Sequence, residues 1–440
     1  MRFLSLLTLI CTGLGTSHAA PSENAVWTVS EYVRLSLEKA PSVRRAQDSL
    51  VAARARQHST FAALMLPSLS FSASINPAKL ARANRFSFGA WRPSANDWTL
   101  SPGASWNLFN NFKDVITNRT RALSTASTSE DLEAARQSQA LAALRTYFRL
   151  LRADRILEVA DRNLDVQKQN YALTQIRYKN GMKSLFDLLK TETDWRSAEL
   201  NRENRIADQS LARFQFNIAV ERREDAPVVF PKELTPGTTD LPQLDHGMRA
   251  AMMDRPEIKR SANDIETADL SWRRAKIDAG PTLALNFSYS DPVSGSFRAP
   301  TSGFGLNDAA YGLTLSLAVP SSLNFYSQAK NLIAARASWR QSRETRTALH
   351  RRIREEVFNA HIQLVRAIRS LEIARRKEDI SKQNLELIKE QYEGGSVDVI
   401  RLSQVQIDYV NAQIERLDAF RDVHINRAAY RRVIGEPIWR

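Results

Sequence analysis

The sequence predicts a mainly α-helical protein of two structural repeats, each built of long coiled-coil helices and two β-strands. The four strands are expected to belong to a small membrane β-barrel that a single chain cannot close. Three observations predict this. The chain repeats itself once: Arg177-Tyr178-Lys179-Asn180-Gly181 returns 214 positions later as Gln391-Tyr392-Glu393-Gly394-Gly395. The same offset lays Lys168-Gln169-Asn170 on Lys382-Gln383-Asn384 and Ala198 on Ala412, while Pro41 and Pro67 match Pro256 and Pro281 within one residue. Neither Gly nor Pro occurs from 104 to 180 or from 321 to 393. Finally, four short segments alternate apolar and small polar residues, which is the period of a strand.

In chain order, the first element is an export signal over residues 1–19. Arg2 supplies the basic start, Phe3 to Leu14 the apolar stretch, and Ser17-His18-Ala19 the small cleavage residues. The sole cysteine, Cys11, falls inside it, so the mature chain is expected to carry no disulfide, thiolate metal site or cysteine nucleophile. The bulky Ile10 before Cys11 argues against a lipid anchor there. Beyond the signal no run reaches the ~18 apolar residues of a spanning helix, so membrane entry would have to be through strands. The formal charge of +14 would ordinarily suggest nucleic acid or an anionic surface. Export sets nucleic acid aside, and Arg351, Arg352, Arg375 and Arg376 read as solvated helix faces.

The first repeat spans 20–220 and the second 244–440, joined over 221–243 by a linker holding Pro227, Pro231, Pro236 and Pro242. Each repeat reads as helix, strand, loop, strand, very long helix, turn, helix. The Gly- and Pro-free runs are rich in Ala, Leu, Arg, Glu and Gln, with apolar residues at Leu150, Leu157, Leu164 and Tyr171, and again at Ile368, Leu371 and Ala374. Some 65 helical residues make a rod of ~100 Å, which needs partner helices along its length.

The strands are expected at about 68–76, 98–108, 282–290 and 311–319. Leu69, Phe71, Ala73 and Ile75 alternate with serines; Trp98, Leu100, Ala104 and Trp106 share a face opposite Ser101, Gly103 and Ser105. In the second repeat Leu285, Phe287 and Tyr289 return as Tyr311, Leu313, Leu315 and Leu317, interleaved with Gly312, Thr314 and Ser316. One apolar and one small-polar face is the pattern of a membrane strand, and equally of a sheet on a protein core. Strands of ~9 to 11 residues cross a bilayer when tilted, which favours the membrane. Trp98, Trp106, Phe109 and Tyr311 fit an interfacial aromatic belt. Since an open sheet edge is not tolerated in hydrocarbon, the barrel must be completed by other copies, and a homotrimer supplies twelve strands where eight leave little lumen.

With these features the chain resembles the TolC family of outer membrane efflux proteins over nearly all of its mature length. The most specific motif is Tyr178 three residues before Gly181, followed by Asp187-Leu188-Leu189; the second copy keeps Tyr392 and Gly395. Physically, these glycines allow a helix to turn back sharply, and Ser184 or Ser396 is placed to cap the helix that follows. The resemblance implies a passive exit duct for a tripartite efflux pump or a type I secretion system, in the outer membrane of a Gram-negative cell with a long periplasmic portion. It implies a periplasmic adaptor (a membrane fusion protein), an inner-membrane pump and outer membrane lipid as partners, with the turns forming the periplasmic entrance and Asp187 and Tyr392 in its latch. One departure matters: where the family has two acids at the constriction, this chain has Arg401 and Gln404, and Val397 replaces a basic latch residue. A ring of arginines repels the cations that acids attract, so cation preference does not carry over. Arg401 and Asp187, each six residues past its turn Gly, are expected to face each other at the gate.

Nothing points to chemistry. There is no P-loop, dinucleotide turn, zinc-protease motif or nucleophile elbow. His58, His246, His350, His361 and His424 are scattered, and His246 with Met248, Met252 and Met253 reads as helix packing rather than a soft-metal site. No enzyme activity, cofactor or metal is expected. The alternative reading is a periplasmic coiled-coil adaptor or scaffold whose strands pack on protein.

Overall fold

The structure is a computed structural model that describes residues 26–75, 98–231, 242–278, 280–293, 295–296, 299–300, 310–319 and 325–439. The expected export signal, most of the two strand loops and the middle of the linker lie outside the described residues. In chain order the elements are α1 (Val29–Lys39), α2 (Pro41–Met65), β1 (Ser68–Ile75), β2 (Trp98–Phe109), α3 (Lys113–Lys179) and α4 (Leu185–Ile218). Then come α5 (Leu244–Asp254), α6 (Pro256–Ile277), β3 (Thr282–Val293), the two-residue pair β4 (Gly295–Ser296) and β5 (Ala299–Pro300), β6 (Ala310–Ala318), α7 (Phe325–Glu393) and α8 (Val399–Ile434).

Most of each Gly- and Pro-free run forms one unbroken helix, 67 residues in α3 and 69 in α7. The shorter helices are broken where proline dictates. Ala40 (ψ 123°) and Arg255 (ψ 131°) are extended because a following proline excludes the helical conformation, and Pro41 and Pro256 then start new helices at their first position. Arg255 is buried at its break, where its guanidinium bonds Glu356 (2.7 Å) and Glu257 (3.2 Å).

The long helices organise the rest as a single layer. Near the strands α3 lies between α2 and α6, with Arg119 paired to Glu266 (2.7 Å) and Arg260 to Asp131 (2.6 Å). Toward the far end it lies between α4 and α8: Arg152 forks onto Asp418 and buried Gln167 donates to Gln406 (2.9 Å). Since α7 packs on α6 and then on α8, the order across the far half is α4, α3, α8, α7. A second layer, comprising α1 and the segment after α4, covers the middle. Its core is aromatic: Tyr32 stacks on Phe216 at 4.0 Å, Trp27 meets Phe216 edge-on, and the Tyr147 hydroxyl donates to the Trp27 carbonyl at 2.9 Å. There the Trp27 N–H donates to the Val229 carbonyl (2.9 Å), and Asn217 ties down the carbonyls of Glu224 and Ala226 (3.0 Å each).

The strands form one antiparallel sheet in the order β1-β2-β3-β6. A joint where β2 gives way to α3 ties it to the end of α6. Asn111 and Phe112 adopt left-handed backbone (φ 50° and 59°), which lets the Asn111 amide donate to the Ile277 carbonyl at the end of α6. Lys113 pairs with Asp278 beside it (2.6 Å). A side chain at Gly280 would occupy the space of the Asn111 amide.

Candidate functional site: the sheet face and the hairpin tips

The sheet register puts unlike residues on its two faces. Leu69, Ala104, Phe287 and Leu313 form one row, Trp106, Leu285 and Leu315 another, all on the same face. Leu69, Phe71, Leu313, Leu315 and Leu317 are each more than 60% exposed, whereas Leu285, in the middle strand, is half-buried by its neighbours. On the opposite face the hydroxyls of Ser68, Ser70 and Ser72 donate across the pair to the carbonyls of Ser105, Gly103 and Ser101 (3.0–3.4 Å). Asn286 donates to Ser316 at 3.1 Å. Trp106, Leu108, Phe109 and Phe112 gather at the helix-side rim and Tyr311 at the distal one. Leu100 pairs with Ala73 and Asp291 by backbone; its side chain and that of Trp98 lie outside the described residues. Among the described residues β1 and β6 each bond a neighbour on one side only, leaving two free edges. A broad apolar face with free edges needs covering.

At the other end two helical hairpins turn. Gly181 (φ 71°) and Gly395 (φ 74°) end α3 and α7 in left-handed conformation, with Met182 N–H donating to the Arg177 carbonyl (2.8 Å) and Ser396 N–H to that of Gln391 (2.9 Å). Nothing lies within 4 Å of where a Cβ would stand on either, so the backbone angle alone requires glycine. Ser184 caps α4 with Asp187 in a reciprocal box (3.1 and 3.2 Å). In the second hairpin the expected Ser396 cap is corrected: Asp398 is the N-cap and accepts the Arg401 N–H at 2.8 Å. Asp398 is the residue equivalent to Ser184, while Ser396 still belongs to the closing turn.

The gate candidates thus occupy defined places. The Asp187 carboxylate is held by its own helix start. Arg401 is exposed at the equivalent position, and no ion pair joins the two within one protomer among the described residues. Gln404 bonds Asp408 one turn along its own helix (3.0 Å). Tyr178 is exposed, and Tyr392 lies under the Lys183 ammonium, 4.6 Å from its ring centre, which links the two tips. The tips differ inside: Ile388, Leu402 and Val405 form a small core in the second, whereas Thr174 and Thr191 replace Ile388 and Val405 in the first. Ile176, Met182, Leu185, Phe186 and Leu189 of the first tip are exposed. A further cross-link is absent from the sequence reading: Lys190, paired with Asp194, donates to Ser403 (3.1 Å), which in turn donates to Asp194 (3.0 Å). The i,i+4 spacing of Lys190 and Asp194 is a sequence signal, but nothing in sequence marks Ser403 as their partner.

Among the described residues no helix is long and apolar enough to cross a membrane. The model of the outer membrane efflux protein family matches residues 32–216 and 248–436. No curated protein matches the chain at a significant level. Among solved structures the chain is similar to CusC, with a TM-score of 0.75 at 16% identity, over 94% of this chain and 95% of that one. The outer membrane protein VceC from Vibrio cholerae gives a TM-score of 0.73 at 16% identity, over 93% and 96% of the two chains. The Campylobacter jejuni CmeC outer membrane channel gives 0.73 at 16%, over 92% and 85%.

Proposed function

The chain belongs to the outer membrane efflux protein family, and from that premise we propose that three copies form a passive exit duct across the outer membrane of a Gram-negative cell. The observation that carries this reading is the open four-stranded sheet, with one exposed apolar face and one small-polar face. Joined edge to edge, three such sheets satisfy their free N–H and C=O groups, turn leucines to lipid and line the inside with serines, Asn286 and Thr314.

The helices support the same assembly. On α4, at one edge of the layer, Phe186, Leu200, Leu211, Phe214 and Ile218 are exposed; on α7, at the other edge, so are Phe358, Ile362, Ile373, Ile380 and Leu387. Their separations are sums of three- and four-residue steps, so each set follows one face. Two different apolar faces at opposite edges suit a head-to-tail ring. The duct receives cargo from an inner-membrane pump through a periplasmic adaptor, in a tripartite efflux pump or a type I secretion system, and the exposed apolar side chains of the first tip suit a protein partner there. Tyr178, Gly181, Asp187, Tyr392, Gly395, Arg401 and Gln404 form the gate.

Cell fractionation followed by crosslinking of detergent-extracted membranes tests the proposal. The expected result is a threefold ladder from outer membranes and ion conductance in planar bilayers. A soluble periplasmic monomer would instead identify the scaffold alternative.

A further inference from the structure

The far half of the helical layer contains a cleft of about 590 Å³ over α3, walled by α4 and α8. Arg145, Arg149 and Arg152 enter it from α3, Arg205 from α4 and Arg421 from α8, against Asp208 and Asp422. Their commitments differ. Arg152 is forked on Asp418, and Arg421 is shared between Asp418 (3.2 Å) and Asp422 (2.8 Å). Arg205 pairs through Nη1 with Asp208 (3.1 Å), but its Nε–H is buried with no acceptor among the described residues. Arg149 donates only to the neutral amide of Gln215 (2.5 Å), and Arg145 is exposed with no carboxylate partner among the described residues. Five guanidinium groups thus face three carboxylates, and donors are left over on two walls. Between them Ile156, Leu211 and Ile425 provide apolar lining.

We infer that this cleft binds amphiphilic organic anions, with a carboxylate, sulfonate or phosphate head on the spare guanidinium donors and an apolar body against Ile156, Leu211 and Ile425. Planar guanidinium forks suit such heads better than ammonium groups do. The cleft lies inside the protomer's own order of helices, away from the edges at α4 and α7 where another copy would sit. It also lies opposite the second layer: α1 and the Trp27 just before it hold α3 through Gln139 (to Ser36, 3.0 Å) and Tyr147 (to the Trp27 carbonyl), on the side of α3 away from Arg145, Arg149 and Arg152. An extra layer on a tube wall belongs outside, because inside it would plug the bore. In the proposed channel the cleft therefore faces the lumen, and amphiphilic anions are the favoured cargo class; this last step rests on the channel reading.

The test is calorimetric titration of the purified protein in a non-ionic detergent with 2-naphthalenesulfonate, with 2-naphthol and inorganic sulfate as comparisons. The expected result is one 2-naphthalenesulfonate per protomer, bound about tenfold or more tighter than either comparison, with that advantage lost in Arg145→Gln/Arg149→Gln. Arg145→Gln alone, which removes no hydrogen bond or ion pair among the described residues, is expected to lose part of it while the elution volume stays unchanged. Equal binding by wild type and double variant overturns the cleft, and sulfate binding as tightly as the sulfonate overturns the amphiphile class. Reversal potentials in planar bilayers under a salt gradient address the lumen: a wild-type anion preference reduced in the double variant supports it, and an unchanged preference overturns it. Binding without any conductance would defeat the channel reading and the cargo assignment, leaving the cleft standing.

Discussion

At Asp398 and Ser184 the two hairpins solve one problem, the unpaired N–H groups of a helix start, with different side chains. Replacing Asp398 by Ala should cost about 1 kcal/mol locally. Amide hydrogen exchange should then speed up at Arg401 and its neighbours, while the first tip is unaffected. His424 offers a pH test. It stacks on Phe148 at 4.7 Å beside Phe420, and burial, helped by the nearby Arg427 charge, pulls its imidazole down to about 4 from the usual 6.5. The folded state therefore holds neutral histidine. Its contribution is intact above about pH 6.5 and is lost progressively as pH falls toward 4. His424→Phe should flatten that part of the melting-temperature profile, an effect on the order of 2 kcal/mol in wild type. An unchanged acid slope in the variant would place the pH dependence elsewhere. The turn glycines and Ser184 are legible in sequence because their demands are local: a positive φ and a side-chain oxygen just before a helix. The Ser396 reading fails on the same local scale, since the closing turn runs through that residue and moves the cap to Asp398. The Lys190–Asp194–Ser403 tie is not legible, because it depends on the register between two helices far apart in the chain.

Among elements, the strands and long helices are the most legible, because period-two alternation and the absence of Gly and Pro are properties of segments. The breaks before Pro41 and Pro256 follow from proline geometry alone. Less legible is the strand-to-helix joint, where Asn111 and Phe112 adopt positive φ without glycine. Their conformation is stabilised by the Asn111 bond to Ile277, a contact 166 residues away that no local pattern encodes. Gly280→Ala should therefore displace Asn111 and loosen this joint by about 1–2 kcal/mol, seen as faster amide exchange at Lys113 and Asp114. The sheet gives a sharper comparison. Leu315 and Thr314 are adjacent in β6 and face opposite sides. Leu315→Arg should block membrane assembly, at a cost of ~2–4 kcal/mol per copy, whereas Thr314→Arg should assemble and alter conductance. Heat-modifiable mobility of the assembled species on gels would report both, and equal assembly of the two variants would point to a sheet in water.

For the whole molecule, the expected Asp187–Arg401 pairing does not form inside one protomer, so any such pair must join neighbouring copies. Bilayer conductance of Asp187→Ala, Arg401→Ala and the double variant tests it: coupled, non-additive opening is expected, with ~0.2 to 1 kcal/mol for each exposed pair. Additive changes would leave the two residues acting separately, and wild-type behaviour in all three would take both out of the gate. The duplicated architecture is visible from sequence because each repeat carries its own turn and strand pair, but the way the second layer fastens to the first is not. That fastening bears on the order of events during folding. Trp27, Tyr32, Tyr147 and Phe216 come from the first repeat and Phe230 from the segment just after it, and the bridge from Val26 to Val229 closes them together. A polypeptide made amino end first can thus assemble this aromatic nucleus at the middle of α3, with its first pair of strands already in place at the end of that helix, before α7 and α8 have been added.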